Sequence, residues 1–296
     1  VRLTTLGELN GVSTNTLGPN AIVTITEIDG TTVELVEGNI AGQYHTTPGQ
    51  IVGTVGKSYQ LSIKLSNGEE YQSSVEVLPE PISMVASEAI FVEEFIEQSS
   101  GVNLRSVHHD IYVEVENTGK SQFFKLENSG WAKVEIGYGT CEPGPPWSTL
   151  CWHYREPVVR NAIEIGTNQG LNSGNYKLNA FSIPVDFKHQ YIAMTQLKAM
   201  SSVSYDYWKD VQEQIERPGG LFDRPFAPIA GNVSRNNGLP ALGYFHAYAI
   251  TSETVCFDRA EVSARISIPV IGCLDQCIEF WGPISTFVDM GQILCQ

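Results

Sequence analysis

Four groups of residues in this 296-residue chain could do chemistry. His108-His109-Asp110 is the most metal-like string, but consecutive side chains on a strand point to opposite faces, so the two imidazoles cannot readily share one ion. Glu93, Glu94 and Glu97, and the pair Asp206 and Asp210, offer the oxygen ligands that calcium prefers. No D-x-[DN]-x-[DN]-G loop surrounds either group, and a solvated acidic face is the plainer reading. Cys273 and Cys277 have no second short pair of the same kind, which favours disulfides over zinc. There is no G-x-S-x-G elbow, and the six histidines lack a recognisable partner string. The carboxylate pairs of glycoside hydrolases are defined by a spatial separation that sequence does not carry. We therefore expect no catalytic residue, no cofactor and no metal.

The elements that would position any site are β-rich. Residues 1–78 read as a small all-β unit: 21–28 is β-branched, Asp29-Gly30 is a hairpin-turn dipeptide, and Thr32–Val36 resumes the alternation. Segments 42–45, 53–65 and 70–77 follow, with the turn Ser66-Asn67-Gly68 between the last two. This spacing predicts an immunoglobulin-like β-sandwich, without the antibody-type disulfide because no cysteine falls there. Leu78-Pro79-Glu80-Pro81 marks a domain boundary. Residues 82–296 then predict a larger antiparallel β domain, barrel or sandwich. It holds a meander over 110–116, 122–126 and 131–136, then strands near 162–165, 182–185, 191–200, 243–251 and 261–268.

One amphipathic helix, near 204–217, is expected as an insertion in that second domain. Ser204 would cap it, Asp206 would sit in its first turn, and Tyr205, Trp208, Val211 and Ile215 fall near one face. Arg217-Pro218-Gly219-Gly220 ends it. The following loop, 219–240, is too long for a mere connector and is either pinned to the sheet or offered to a partner. Its residues and their neighbours give the candidate partner or ligand surface: Tyr205, Trp208, Phe222, Asp223, Asn232 and Tyr244. Core packing of the aromatic residues is the competing reading, since Tyr and Trp serve interfaces and cores alike.

Composition narrows the setting. Acidic residues outnumber basic ones, 33 to 18, for a formal charge of −15. Lysines and arginines are scattered singly, so nucleic acid is excluded as a partner and an anionic lipid surface is disfavoured. The six cysteines, Cys141, Cys151, Cys256, Cys273, Cys277 and Cys295, are expected to form disulfides in an oxidising compartment. Cys141–Cys151 would close a proline-rich loop and stabilise it by about 2–3 kcal/mol. No run of about 18 apolar residues could span a bilayer. The opening Val1-Arg2-Leu3-Thr4-Thr5 is strand-like and no secretory signal is present, so a processed start is expected.

Val203 to Trp208, Gly219-Gly220-Leu221-Phe222-Asp223, Gly231-Asn232-Val233 and Gly243-Tyr244-Phe245-His246-Ala247 together resemble the signature of the domain of unknown function 4249 family. Gly53 to Leu61, Cys151-Trp152 and the pair Cys273 and Cys277 match in order, so the resemblance spans nearly the whole chain. It implies an exported outer-membrane lipoprotein of Bacteroidota, at the cell surface or facing the periplasm. It also implies an accessory to a TonB-dependent transporter, with membrane contact only through an amino-terminal lipid whose cysteine this sequence lacks. The expected role is thus non-catalytic binding of such a transporter, or of its cargo, in nutrient uptake. The alternatives are a structural or adhesive surface module and a hydrolase with an unrecognised site.

Overall fold

Apolar residues at every second position dictate strands with one wet face. In β5 (Ser58–Lys64), Tyr59, Leu61 and Ile63 are buried while the residues between them are partly exposed. The computed structural model describes residues 1–3, 20–97, 101, 103–136, 149–155, 163–171, 174–185, 189–216 and 229–258. Among them the protein is mostly β, with antiparallel pairing throughout, one helix, and no sheet that closes into a barrel. The chain divides into two compact units, Val1–Pro81 with Ala199–Ala249, and Ile82–Lys198 with Ile250–Gln296.

In the first unit, β1 (Ile22–Glu27) pairs with β2 (Thr32–Glu34) on one side and β5 on the other. β6 (Glu70–Ser73) and β7 (Glu76–Val77) both pair with β5, and a small ribbon forms from β3 (Val36–Glu37) and β4 (Tyr44–His45). Tyr44 from the ribbon packs with Val23, Leu35, Leu61 and Ile63 in one core, so the ribbon covers an inner face of the main sheet. Its hydroxyl also accepts a bond from the Ala21 amide at 2.9 Å. The hairpin between β1 and β2 differs from the expected two-residue turn. Gly30 N–H bonds to Glu27 carbonyl at 3.0 Å, and Asp29, not the glycine, takes the left-handed conformation with φ 63°. Aspartate tolerates that region better than most side chains do.

The helix falls in this first unit, a correction to the domain assignment made from sequence. After β14 (Gln190–Ala199) and α1 (Ser202–Glu216), the chain adds β15 (Val233–Arg235) to the free edge of β6, extending the order to β15-β6-β5-β1-β2. A long-range strand pairing of this kind leaves no local signal, because the partner lies some 160 residues away.

The second unit also departs from the expected meander. β8 (Met84–Glu97), β9 (Asn103–Val115) and β13 (Tyr176–Pro184) form one sheet in the order β13-β9-β8. β10 (Phe123–Ile136) is one continuous strand where two were expected, and it pairs not with β9 but with β11 (Thr149–Arg155) and β12 (Glu164–Thr167). β14 and β16 (Ala249–Asp258) complete that second sheet. The strand expected over 243–251 begins only at Ala249, and the one expected over 261–268 lies outside the described residues. β14 alternates half-buried and buried along its whole length, placing Tyr191, Ala193 and Leu197 in the core. Gly130 of β10 is required there, since a Cβ would overlap the Tyr191 ring.

His109 is buried in this unit between Phe91, with ring centroids 5.6 Å apart, and Phe257, at 4.5 Å. Burial, with a smaller contribution from neighbouring His108, pushes its imidazole down to about 4. The folded state then resists protonation that the unfolded chain accepts near the ordinary histidine value of about 6.5. Stability contributed by neutral His109 is therefore complete above about pH 6.5 and is lost as pH falls toward 4. Thermal unfolding across this range should show a falling Tm, and H109F should flatten that part of the profile.

Candidate functional site

The residues of the signature converge on one buried carboxylate. β6 and β7 are separated by a bend in which the Ser73 side chain replaces a ladder partner: its hydroxyl accepts the Leu61 amide at 2.9 Å. The bend turns Glu76 inward, where it is 4% exposed, and leaves Val75 and Val77 each 46% exposed. Sequence alternation would place the valines inside and the glutamate outside. Tertiary bonding reverses this, because three donors from other elements meet the carboxylate. Ser201 Oγ donates to Oε2 at 3.0 Å, and Tyr244 hydroxyl and Asn232 Nδ2 donate to Oε1 at 2.7 and 3.3 Å. Among the described residues no lysine, arginine or histidine forms an ion pair with Glu76. The charge is met by hydrogen bonds alone, the minimum that makes a buried carboxylate tolerable.

Each donor is itself held. Ser201 is the helix cap, accepting the Ser204 amide at 3.1 Å, so the cap lies three residues before the expected Ser204. This moves Asp206 out of the first turn, which carries no acidic residue. Ser204 is instead the helix's buried residue, with its hydroxyl 2.6 Å from His246 Nδ1. Asn232 clamps the backbone of Phe245, accepting its amide at 2.7 Å and donating to its carbonyl at 2.9 Å. Its own carbonyl accepts the Ser74 amide at 2.7 Å. Gly231 beside it admits the backbone of Gly243: any Cβ at 231 would overlap the Gly243 carbonyl oxygen.

Aromatic rings close the arrangement. Tyr244, His246 and Tyr248 sit at alternate positions of an extended segment and stack in series, with centroids 4.4 and 5.0 Å apart and interplanar angles of 22° and 13°. From α1, Trp208 stacks on His246 at 5.4 Å and donates its Nε1 proton to the Tyr248 hydroxyl at 2.8 Å. Tyr207 contacts Tyr244 at 4.7 Å. Burial pushes the Tyr244 phenol far above its ordinary range and the bond to Glu76 adds to this, so it remains a proton donor at any physiological pH. Burial raises the Tyr207 phenol as well.

Of the residues proposed from sequence as a surface, Trp208, Asn232 and Tyr244 come together here, facing inward. Tyr205 is half-buried, and Ile215, expected on the packing face, is 53% exposed. Phe222 and Asp223 lie outside the described residues. Sequence reasoning missed Glu76, Ser201, Tyr207 and Tyr248. The alternating Tyr244-x-His246-x-Tyr248 was readable as a strand face, but nothing local marked Glu76.

The other chemically suggestive groups are occupied too. His108 and Asp110 share a face of β9, with Nε2 and Oδ1 3.4 Å apart, while His109 points the opposite way. Ser106 Oγ lies 3.3 Å from His108 Nδ1, and Ser182 donates to Asp110 Oδ1 at 2.5 Å. This Ser–His–Asp–Ser row is buried at its acidic end, which suits a structural polar network more than a nucleophile. Glu93 is paired with Arg105 at 2.7 Å. Among the described residues no cluster of three or more metal-ligating side chains occurs, and no helix is long and apolar enough to cross a membrane. Cys256 is disulfide-bonded. The Cys151 side chain and Cys141, Cys273, Cys277 and Cys295 lie outside the described residues.

Fold and site thus define a class: a mainly β protein whose helix α1 is latched to a β unit through a buried glutamate. The match of residues 1–254 to the family described as a domain of unknown function (DUF4249) goes further, and the chain belongs to that family. No curated protein and no solved structure matches it.

Glu76→Ala should destabilise the first unit by about 3 kcal/mol in chemical denaturation, because it orphans three buried or half-buried donors. Glu76→Gln should recover more than half of that loss. Gly231→Ala should be at least as damaging as Glu76→Ala, since the obstruction is backbone and cannot rotate away.

Proposed function

We propose that this protein is a non-catalytic accessory of the outer membrane, lipid-anchored, that binds a TonB-dependent transporter or its cargo during nutrient uptake. The observation that carries the non-catalytic part is the destination of the signature's polar atoms. Ser204, Trp208, Asn232 and Tyr244, with Ser201 just before the signature, spend hydrogen bonds inside the first unit, on Glu76, His246, Tyr248 and the Phe245 backbone. A catalytic signature would keep a nucleophile or an acid–base pair facing a space where substrate could sit. This one spends its polar atoms on intramolecular bonds instead, which suits a protein that binds through loops carried on the fold. The outer-membrane setting and the transporter rest on the resemblance of the signature.

Two experiments test the reading. Tagged protein recovered from detergent-solubilised membranes should bring down a transporter-sized outer-membrane partner. Recovery of the protein alone would favour the structural or adhesive module. The exported setting further requires the cysteine framework, to which bonded Cys256 lends support. Reductant should lower the Tm of the full chain, and an unchanged melting curve with six titratable thiols would exclude that framework.

A further inference from the structure

The helix α1 is attached to the first unit differently from the strands beneath it. Of its 15 residues only Ser204 is buried, and its aliphatic residues Val203 and Ile215 are 63% and 53% exposed. Its own first turn carries no acidic residue and its last no basic one, so its amino end relies on the Ser201 cap and the Glu76 carboxylate bonded to it. A helix of this length is marginal on its own in water, so it persists because it is docked. What docks it is polar and aromatic: Ser201 to Glu76, Ser204 to His246, Trp208 to Tyr248, and the rings of Tyr207 and Trp208. Water can replace each of those hydrogen bonds at a small net loss. Water cannot replace the burial of Val23, Leu61 and Ile63 that holds β1 and β5 together.

We propose that α1 is a releasable strap, which undocks and unfolds locally while the six-stranded sheet stays intact. The arrangement at Glu76 makes release inexpensive. When Ser201 leaves, Asn232 and Tyr244 still donate to the carboxylate, and Asn232 still clamps Phe245, so the second half of the latch holds. Release uncovers the stacked faces of Tyr244, His246 and Tyr248, a surface that docked α1 covers through Tyr207 and Trp208. The strap is thus an element of low local stability seated on an aromatic surface of high local stability.

Hydrogen exchange of the full chain, followed by mass spectrometry, tests this. Peptides from α1 should exchange at least about tenfold faster than peptides from β5, with little dependence on dilute urea, as local opening requires. Ser204→Ala should speed exchange in α1 by about fivefold more, leaving β1 and β5 unchanged. Equal protection in α1 and β5 in the wild-type chain, with the same urea dependence, would overturn the proposal, because the helix would then open only when the whole unit unfolds. Acceleration of α1 and β5 together in Ser204→Ala would overturn it as well.

Discussion

A carboxyl group removed from water needs hydrogen-bond partners, or its burial is costly. Glu76 imposes that condition on the first unit. Meeting it requires a helix cap, an asparagine and a phenol to arrive from three places distant in sequence, and each arrives only if the chain after β14 returns to the sheet that carries Glu76. The carboxylate therefore fixes topology as well as local geometry. It explains why the bend between β6 and β7 is bridged by Ser73, why β15 joins β6, and why the helix begins at Ser202.

The signature of the family acquires a physical meaning from this. Gly231 is there because the Gly243 backbone passes where its side chain would be, and Asn232 because an amide can meet both the N–H and the C=O of one residue, Phe245, while its Nδ2 also reaches Glu76. Tyr244, His246 and Trp208 supply large flat surface at low entropic cost, with polar tips that find partners. At Trp208, Asn232 and Tyr244, which the sequence offers either as a partner surface or as packing, polar atoms make bonds within the first unit. Such a latch can be shared by proteins whose partners differ, since the exposed loops remain free to vary around it.

In the second unit, close packing depends on side-chain size at particular positions. Gly130 and Gly166 are hollows that receive the buried rings of Tyr191 and Phe124. Buried polar residues accompany this packing, among them His108, Asp110, Gln122, Asn168 and Thr195, and His109 stays neutral between two phenylalanines. The two units thus respond to different perturbations: the first to loss of a donor around Glu76, the second to protonation and to changes of volume.

Much of this was legible in the chain itself, because strand and helix periodicity are local. The alternation in 58–64 and 190–199, the turn glycines near 56 and 68, and the helix over 202–216 follow from residue types within a few positions of one another, as does the mainly β class. The family was legible for the same reason, since its signature is a set of short strings. What only the tertiary structure decided is where those elements go. Val75-Glu76-Val77 alternates with the polarity that should send the glutamate outward, and it points inward because donors up to 168 residues away wait there. Likewise β9 and β10 are neighbours in sequence yet lie in different sheets, and the helix belongs to the first unit, not the second. Local pattern sets the element; the partner that satisfies a buried charge or closes a sheet edge is chosen only when the whole chain has folded.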